Sequence, residues 1–313
     1  MPPPIKVYFL GTGGTTPFGL RKMPCIALKY ENYLIQFDFG EYCQYSLISH
    51  GLHPFRSKTY ILISHYHVDH VGGLPPFLHT YNIVEPKRDI VIVGPTGLKS
   101  FLSGILNIFG LTGIENKIKM IEVGVPGRGI LEKIIDEKAF QIYAFGTAHG
   151  IPSLGYIFLE KQIVKLDKEK LKEFNIPEGP IRRKLLQGEN ITIGGRIIKP
   201  EDVTVVMSGR KIVYTGDTAV FDELARIIDG ADLVIHEATY VKREHGKLAE
   251  QRYHATIEDA CSIAMKARVK CLALIHLSPR YKDRMADISK LVDEIVDNRM
   301  RVLIPEDGYT MEL

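Results

Sequence analysis

Long apolar runs are missing from this sequence of 313 residues. A helix that spans a bilayer needs about 20 consecutive apolar residues, so no membrane span is expected. The opening stretch, Met1-Pro2-Pro3-Pro4-Ile5-Lys6, lacks a charged region followed by an apolar one. No signal peptide is read there, and a cytoplasmic protein is expected. Cysteine is scarce: Cys25, Cys43, Cys261 and Cys271 are the only four, and none forms a CxxC pair. That spacing argues against a disulfide framework and for buried, reduced thiols. Charge of one sign is not in excess either. The net charge is +3 and the pI about 8.5, so the total alone identifies no polyanionic partner. A dinucleotide loop is also incomplete. The apolar run 5–10 ends in Gly11-Thr12-Gly13-Gly14, but Thr16 stands where GxGxxG needs its third glycine.

Hydrophobic residues make up 45% of the chain and charged ones 25%, enough to bury a sizeable core and unlike a disordered chain. Short apolar runs read as strands at 5–10, 33–38, 59–64, 89–93, 140–145, 203–207, 211–215, 232–236 and 271–276. The run 59–64 is apolar nearly throughout, as in a strand covered on both faces. Two helices follow late in the chain. Ile257, Ala260, Cys261 and Ala264 share one face of 256–268, with Thr256 and Asp259 as a capping pair. Ile288, Leu291, Val292 and Ile295 repeat that spacing in 285–298. Strands first, then strands mixed with helices, point to a layered α/β fold.

Residues 161–199 stand apart. They carry ten Lys or Arg against five Asp or Glu, a net of +5 that leaves about −2 for the rest. Within them, Asn175-Ile176-Pro177-Glu178-Gly179-Pro180 precedes Arg182, Arg183 and Lys184. By composition alone the segment reads as a solvated pair of surface helices.

The run His65-Tyr66-His67-Val68-Asp69-His70 carries the chemistry. It follows an apolar strand and precedes Gly72-Gly73. Imidazole and carboxylate are the ligands of catalytic zinc. His65 and His67 can face one metal, and Asp69 and His70 a second. His149, Asp217 and His276 each stand just beyond another apolar strand, where the ligand sites of open α/β sheets gather. A carboxylate such as Asp217 can bridge two metals.

The HxHxDH run resembles the signature of the metallo-β-lactamase superfamily. FLGTGGTTP, FDFGEYCQ, SHYHVDHVGGLP, AHGIPSLGY, GRKIVYTGDT, IHEAT, YHATIEDA, IHLSPRY and the segment 171–202 together resemble ribonuclease Z, a family of tRNA 3′-processing endonucleases. That resemblance implies a four-layer αβ/βα metallo-β-lactamase sandwich formed by one domain over 1–313. It also implies a basic arm inserted at 157–202 that protrudes to grip tRNA, with Arg182, Arg183 and Lys184 as its RNA-binding residues. His65, His67 and His149 would bind one zinc ion, Asp69, His70 and His276 a second, and Asp217 both. Asp69 would accept a proton, and Glu237 with His254 would handle the other. Precursor tRNA is the implied partner and a homodimer the implied assembly.

Some residues depart from the family pattern. Val68 replaces a glycine, Tyr66 a Leu or Met, and DFGEYCQ a DCGEGTQ. The HST-like triplet is His254-Ala255-Thr256, and the arm lacks a Pro-Gly step near residue 163. Val68 and Tyr42 are expected to reshape the pocket near the scissile phosphate. The rival readings are a hydrolase of small phosphodiesters or thioesters, which needs no arm, and a non-catalytic RNA-binding subunit, which needs lost ligands.

Overall fold

In β1 (Ile5–Gly11), Ile5, Val7 and Phe9 are buried and Lys6 is exposed, the two-residue period of a strand with one packed face. The computed structural model describes residues 3–84, 88–111 and 113–313; the Met1-Pro2 start of the N-terminal stretch lies outside them. β1 belongs to a seven-stranded sheet in the order β18 (Tyr309–Glu312), β1, β2 (Cys25–Tyr30), β3 (Tyr33–Phe37), β4 (Lys58–Leu62), β5 (Ile90–Pro95) and β6 (Ile118–Val123). Its first four strands pair antiparallel, and β3 to β6 run parallel. Parallel neighbours need crossovers. α1 (Cys43–Ser49), α2 (Val68–Val71), α3 (Leu74–Val84) and α4 (Leu98–Ile108) supply them.

The second sheet repeats the plan. Its order is β17 (Arg301–Leu303), β16 (Cys271–Ile275), β15 (Leu233–Glu237), β14 (Lys211–Tyr214), β9 (Leu154–Glu160), β8 (Phe140–Gly146) and β7 (Glu132–Asp136). β14 to β17 are parallel. They are connected through α8 (Leu224–Ile228), α9 (Lys242–Arg252), α10 (Ile257–Lys266) and α11 (Met285–Val296). Phe9, Leu28, Phe37 and Leu62 from one sheet meet Phe140, Phe158, Ile212 and Ile235 from the other in the central core. Leu47, Phe77 and Leu102 cover the outer face of the first sheet. Leu224, Ala260 and Val292 cover that of the second. The result is helix, sheet, sheet, helix, the expected four-layer sandwich.

β9 and β14 are antiparallel neighbours, yet an insertion separates them. β10 (Ile163–Leu166) and β13 (Thr204–Met207) form a two-stranded ribbon at its base. Beyond the ribbon lie α5 (Lys168–Glu173), α6 (Pro180–Leu186), the hairpin β11 (Ile191–Ile193) with β12 (Arg196–Ile198), and α7 (Pro200–Val203). Leu171, Ile176, Leu185, Ile191, Ile198 and Val203 give this lobe a small core of its own. Residues 157–160, which the resemblance assigns to the arm, continue β9 in the second sheet, with Phe158 fully buried. The run 203–207, read as one more strand of the series, belongs to the ribbon instead. Val205 and Val206 are exposed there, because a two-stranded ribbon has no facing sheet to bury them.

The cysteines correct another expectation. Cys25 opens β2, Cys43 opens α1, and both pack in the outer core of the first sheet. Their Cα atoms lie 5.6 Å apart, and the two are joined as a disulfide. A CxxC spacing was not needed, because the fold brings together residues 18 apart in sequence. Cys261 and Cys271 are free and buried, as expected. Among the described residues, no helix is long and apolar enough to cross a membrane.

Candidate metal centre

Each sheet offers the carboxyl ends of its parallel strands to one cleft. From the first sheet, Asp38 follows β3, and His65, His67, Asp69 and His70 follow β4. From the second come His149 after β8, Asp217 after β14, Glu237 at the end of β15 and His276 after β16. Two glycines allow the close approach. Gly216 has φ +59, and a Cβ there would lie 2.7 Å from that of Ser64. A Cβ on Gly40 would lie 2.5 Å from the Asp69 carbonyl oxygen. Any side chain at either position would push the loops apart.

Ligand atoms gather in three groups, one of them Asp217, His254 and His276; the other two match the expected sets. His65, His67, His149 and Asp217 converge with ligand atoms within 4.8 Å of one another, and so do Asp69, His70 and His276. The Asp217 carboxylate lies between them. Its Oδ2 is 3.9 Å from His65 Nε2, 3.4 Å from His70 Nε2 and 3.3 Å from His276 Nε2. Asp69 Oδ2 is 3.5 Å from both of the latter nitrogens.

The surroundings fix which nitrogen each ring presents. Asp38 accepts from Ser64 N, Ser64 Oγ, Tyr214 Oη and His70 Nδ1, the last at 2.6 Å. His70 Nδ1 therefore carries the proton and Nε2 the lone pair. Ser64 Oγ, having donated to Asp38, accepts from His65 Nδ1 at 2.9 Å. Thr239 Oγ1 donates to Glu237 at 2.6 Å and accepts from His276 Nδ1 at 2.9 Å. His149 Nδ1 donates to the Tyr253 carbonyl at 3.1 Å. Four imidazoles are thus set to offer Nε2. His67 offers Nδ1, which lies 2.9 Å from His65 Nε2 and 3.2 Å from His149 Nε2. Such outer hydrogen bonds are how proteins hold a metal-binding histidine in its tautomer.

The donor set fits divalent metal on a further observation. Asp69 Oδ2, His70 Nε2 and His276 Nε2 are buried with no hydrogen-bond partner. Buried polar atoms are rarely left so, and here three orphans converge. His254 Nδ1 lies 2.8 Å from Glu237 Oε1 and 4.0 Å from Asp217. Burial works against its charged form, but Glu237 lifts the imidazole to about 9.

The structure thus brings together His65, His67, Asp69, His70, His149, Asp217, Glu237, His254 and His276. Asp38, Ser64, Thr239 and Tyr253 join them without having been assigned a role from sequence. Asp38 had a visible signal, a carboxylate directly after an apolar strand; a serine, a threonine and a backbone carbonyl had none. Val68 and Tyr42, two of the departures from the family pattern, are 79% and 61% exposed, so both side chains face solvent rather than the core. Arg182, Arg183 and Lys184 lie elsewhere, on α6 of the inserted lobe. Arg183 and Lys184 are exposed. Arg182 is half-buried and bonds the Ile176 carbonyl at 2.9 Å and Glu178 at 3.3 Å, so it braces its own turn.

Two family models match the chain. One, described as the anti-Pycsar protein Apyc1, matches residues 5–163, and the other, a beta-lactamase superfamily domain, matches 196–277. Ribonuclease Z of Thermococcus kodakarensis is 38% identical over 308 residues, which cover 97% of this chain and 93% of that protein. Ribonuclease Z of Sulfurisphaera tokodaii is 37% identical, with 89% of each covered. The crystal structure of human tRNase Z, short form, aligns with a TM-score of 0.67 and 25% identity over 98% of both chains. With that sandwich, that ligand set and this likeness along nearly the whole sequence, the chain belongs to the ribonuclease Z family.

Proposed function

We propose that this tRNA 3′-endoribonuclease works with two zinc ions and removes the 3′ trailer of precursor tRNA in a single hydrolytic cut. His65, His67 and His149 would hold one ion, Asp69, His70 and His276 the other, and Asp217 would bridge them. Such a pair, when bound, supplies Lewis acidity toward the phosphate and makes water a nucleophile near neutral pH. The remaining work falls to the chain. Asp69 accepts the proton of the attacking water. Water adds to phosphorus, and the bond to the 3′-oxygen of the tRNA breaks. That oxygen leaves as a poor alkoxide unless protonated, and His254, oriented by Glu237, donates the proton. The products are a tRNA with a 3′-hydroxyl and a trailer with a 5′-phosphate.

The observation that carries this reading is the trio of orphaned donor atoms beside Asp217, in a chain so similar to ribonuclease Z of other organisms. The inserted lobe supports a polyanionic substrate, since its segment 161–199 has a net charge of +5. Lysine and arginine that neutralise phosphates are what such binding requires. We place the protein in the cytoplasm and as a homodimer. Mapping the cut on one 3′-extended precursor tRNA, beside hydrolysis of bis(p-nitrophenyl) phosphate and sedimentation of the protein, tests the whole. Cleavage of the small diester without cleavage of the precursor would favour the small-phosphodiester alternative. Absence of both activities with metal bound would leave an RNA-binding subunit.

A further inference from the structure

Tyr253 sits between two working residues. Its carbonyl fixes His149, and the next residue is His254. The rings of His149 and His254 are 5.2 Å apart. Tyr253 ends α9 in the left-handed conformation, φ 56 and ψ 46. Glycine or asparagine is the usual residue at such a helix end, because a Cβ is strained there. Burial does not compensate for the strain, since the side chain is 52% exposed. Its ring leans over the bare backbone of Gly150, where an added Cβ would lie 3.3 Å from the ring. Backbone in this conformation recurs at the centre: Asp38 and His276 are left-handed too. Strain of this kind gathers where function requires it.

We infer that the Tyr253 ring is a stacking platform for the base of the last nucleotide that the tRNA retains. The inference rests on the cleavage reading above. There, the 3′-oxygen of that nucleotide must come within hydrogen-bond reach of His254. Its base then lies within one nucleotide of residue 253, whose side chain is exposed beside His254. The end of an acceptor strand is single-stranded, and unpaired bases are held by stacking on aromatic rings with little regard to their identity. Gly150 leaves the ring room to lie flat. Tyr253 is therefore a positioning residue: it sets the phosphate against the metal pair rather than taking part in bond making.

Two variants separate the ring from the backbone. Tyr253→Phe keeps the ring. Tyr253→Asn removes it but suits the left-handed cap. The probe is a precursor tRNA with 2-aminopurine immediately 5′ of the cut and a methylphosphonate at the cut, added to metal-loaded protein. Stacking should quench the fluorophore with the natural protein and with Tyr253→Phe, and not with Tyr253→Asn. On ordinary precursor tRNA, the kcat/KM of Tyr253→Asn should fall about 10- to 100-fold further than its rate on bis(p-nitrophenyl) phosphate, as loss of one stacked base implies. Retained quenching in Tyr253→Asn overturns the inference, as do equal losses on both substrates, which would make Tyr253 only the support of His149. A Tyr253→Phe variant as poor as Tyr253→Asn overturns it as well. If the natural protein does not cut precursor tRNA, the cleavage reading itself falls and takes this inference with it; the failures above all presuppose a natural protein that cuts.

Discussion

Asp217 and His254 lie 4.0 Å apart but should fail in different ways. Among the described residues, Asp217 is the carboxylate within reach of both expected ligand sets, so Asp217→Ala should lower both metal content and all hydrolysis. Metal analysis showing two ions per chain in that variant would contradict the bridging role. His254 also forms a ligand group with Asp217 and His276, but it is held differently. Its Nδ1 is taken by Glu237, which leaves Nε2 for a leaving group. General acid catalysis contributes about 100- to 10,000-fold, and only where the leaving group is basic. His254→Ala should therefore lose that factor on precursor tRNA and much less on a nitrophenyl diester, with metal intact. Asp69→Ala should damage both substrates alike. Comparable losses in His254→Ala would reduce that residue to a support of the loop. The seven residues proposed as ligands, which the fold brings to one cleft, were legible in the sequence because each is a histidine or aspartate placed just after an apolar strand. Ser64, Thr239 and the Tyr253 carbonyl were not, because their role is a relation to a ring brought from 1 to 104 residues away.

At the level of elements, the strands with uniform apolar runs were readable, and those without were missed. β2 carries Lys29, β7 is exposed at Glu132 and Lys133, and β9 has a glycine at its second position. All three are strands because neighbours on both sides or one edge pair with them, which no local pattern records. The inserted lobe was legible as a charge anomaly but not as a folded unit. Its core has six buried residues scattered over 33 positions and held by a ribbon, short helices and a hairpin. Since that core is its own, charges on its surface can change without disturbing the sandwich. Reversing Arg183 and Lys184 to Glu should weaken binding of precursor tRNA. It should also flatten the dependence of log Kd on log salt, by about 0.7 to 0.9 for each phosphate that is no longer neutralised. Filter binding at several salt concentrations measures this, and hydrolysis of the small diester should hardly change. Adding Arg182→Glu should cost stability too, because Arg182 braces the turn at Ile176. Weaker binding with an unchanged salt slope would mean that the lobe grips something other than phosphate.

The whole molecule is closed at the foot of that lobe by one buried ion pair. Arg210 donates to Glu160 at 2.6 Å and 2.8 Å, to the Leu313 carbonyl at 2.5 Å and to the Pro3 carbonyl at 2.6 Å. Tyr30 Oη donates to the same carboxylate at 2.9 Å. One guanidinium thus joins β9 of the second sheet to both chain ends of the first, and Tyr30 of β2 completes the link. Both sheets and the base of the lobe meet there, and Glu160 is only 3% exposed. Burial alone would raise the Glu160 pKa, but Arg210 and the hydrogen bonds outweigh it and lower it. A carboxylate with a depressed folded pKa stabilises the fold fully above its unfolded value, about 4.3. Below that value the unfolded chain binds the proton first, and the contribution is lost as pH falls through the folded pKa. Melting temperature should therefore drop, as pH falls below about 4.3, more steeply in the natural protein than in Glu160→Gln, which has no such proton to gain. Arg210→Met leaves the charge buried and unpaired, a change that typically costs about 3–5 kcal/mol. That variant should melt lower at neutral pH and recover part of the loss when Glu160→Gln is added, because the orphaned charge is then gone. Denaturation of the two single variants and the double variant makes the comparison. Strictly additive losses would show that the pair does not act as one unit.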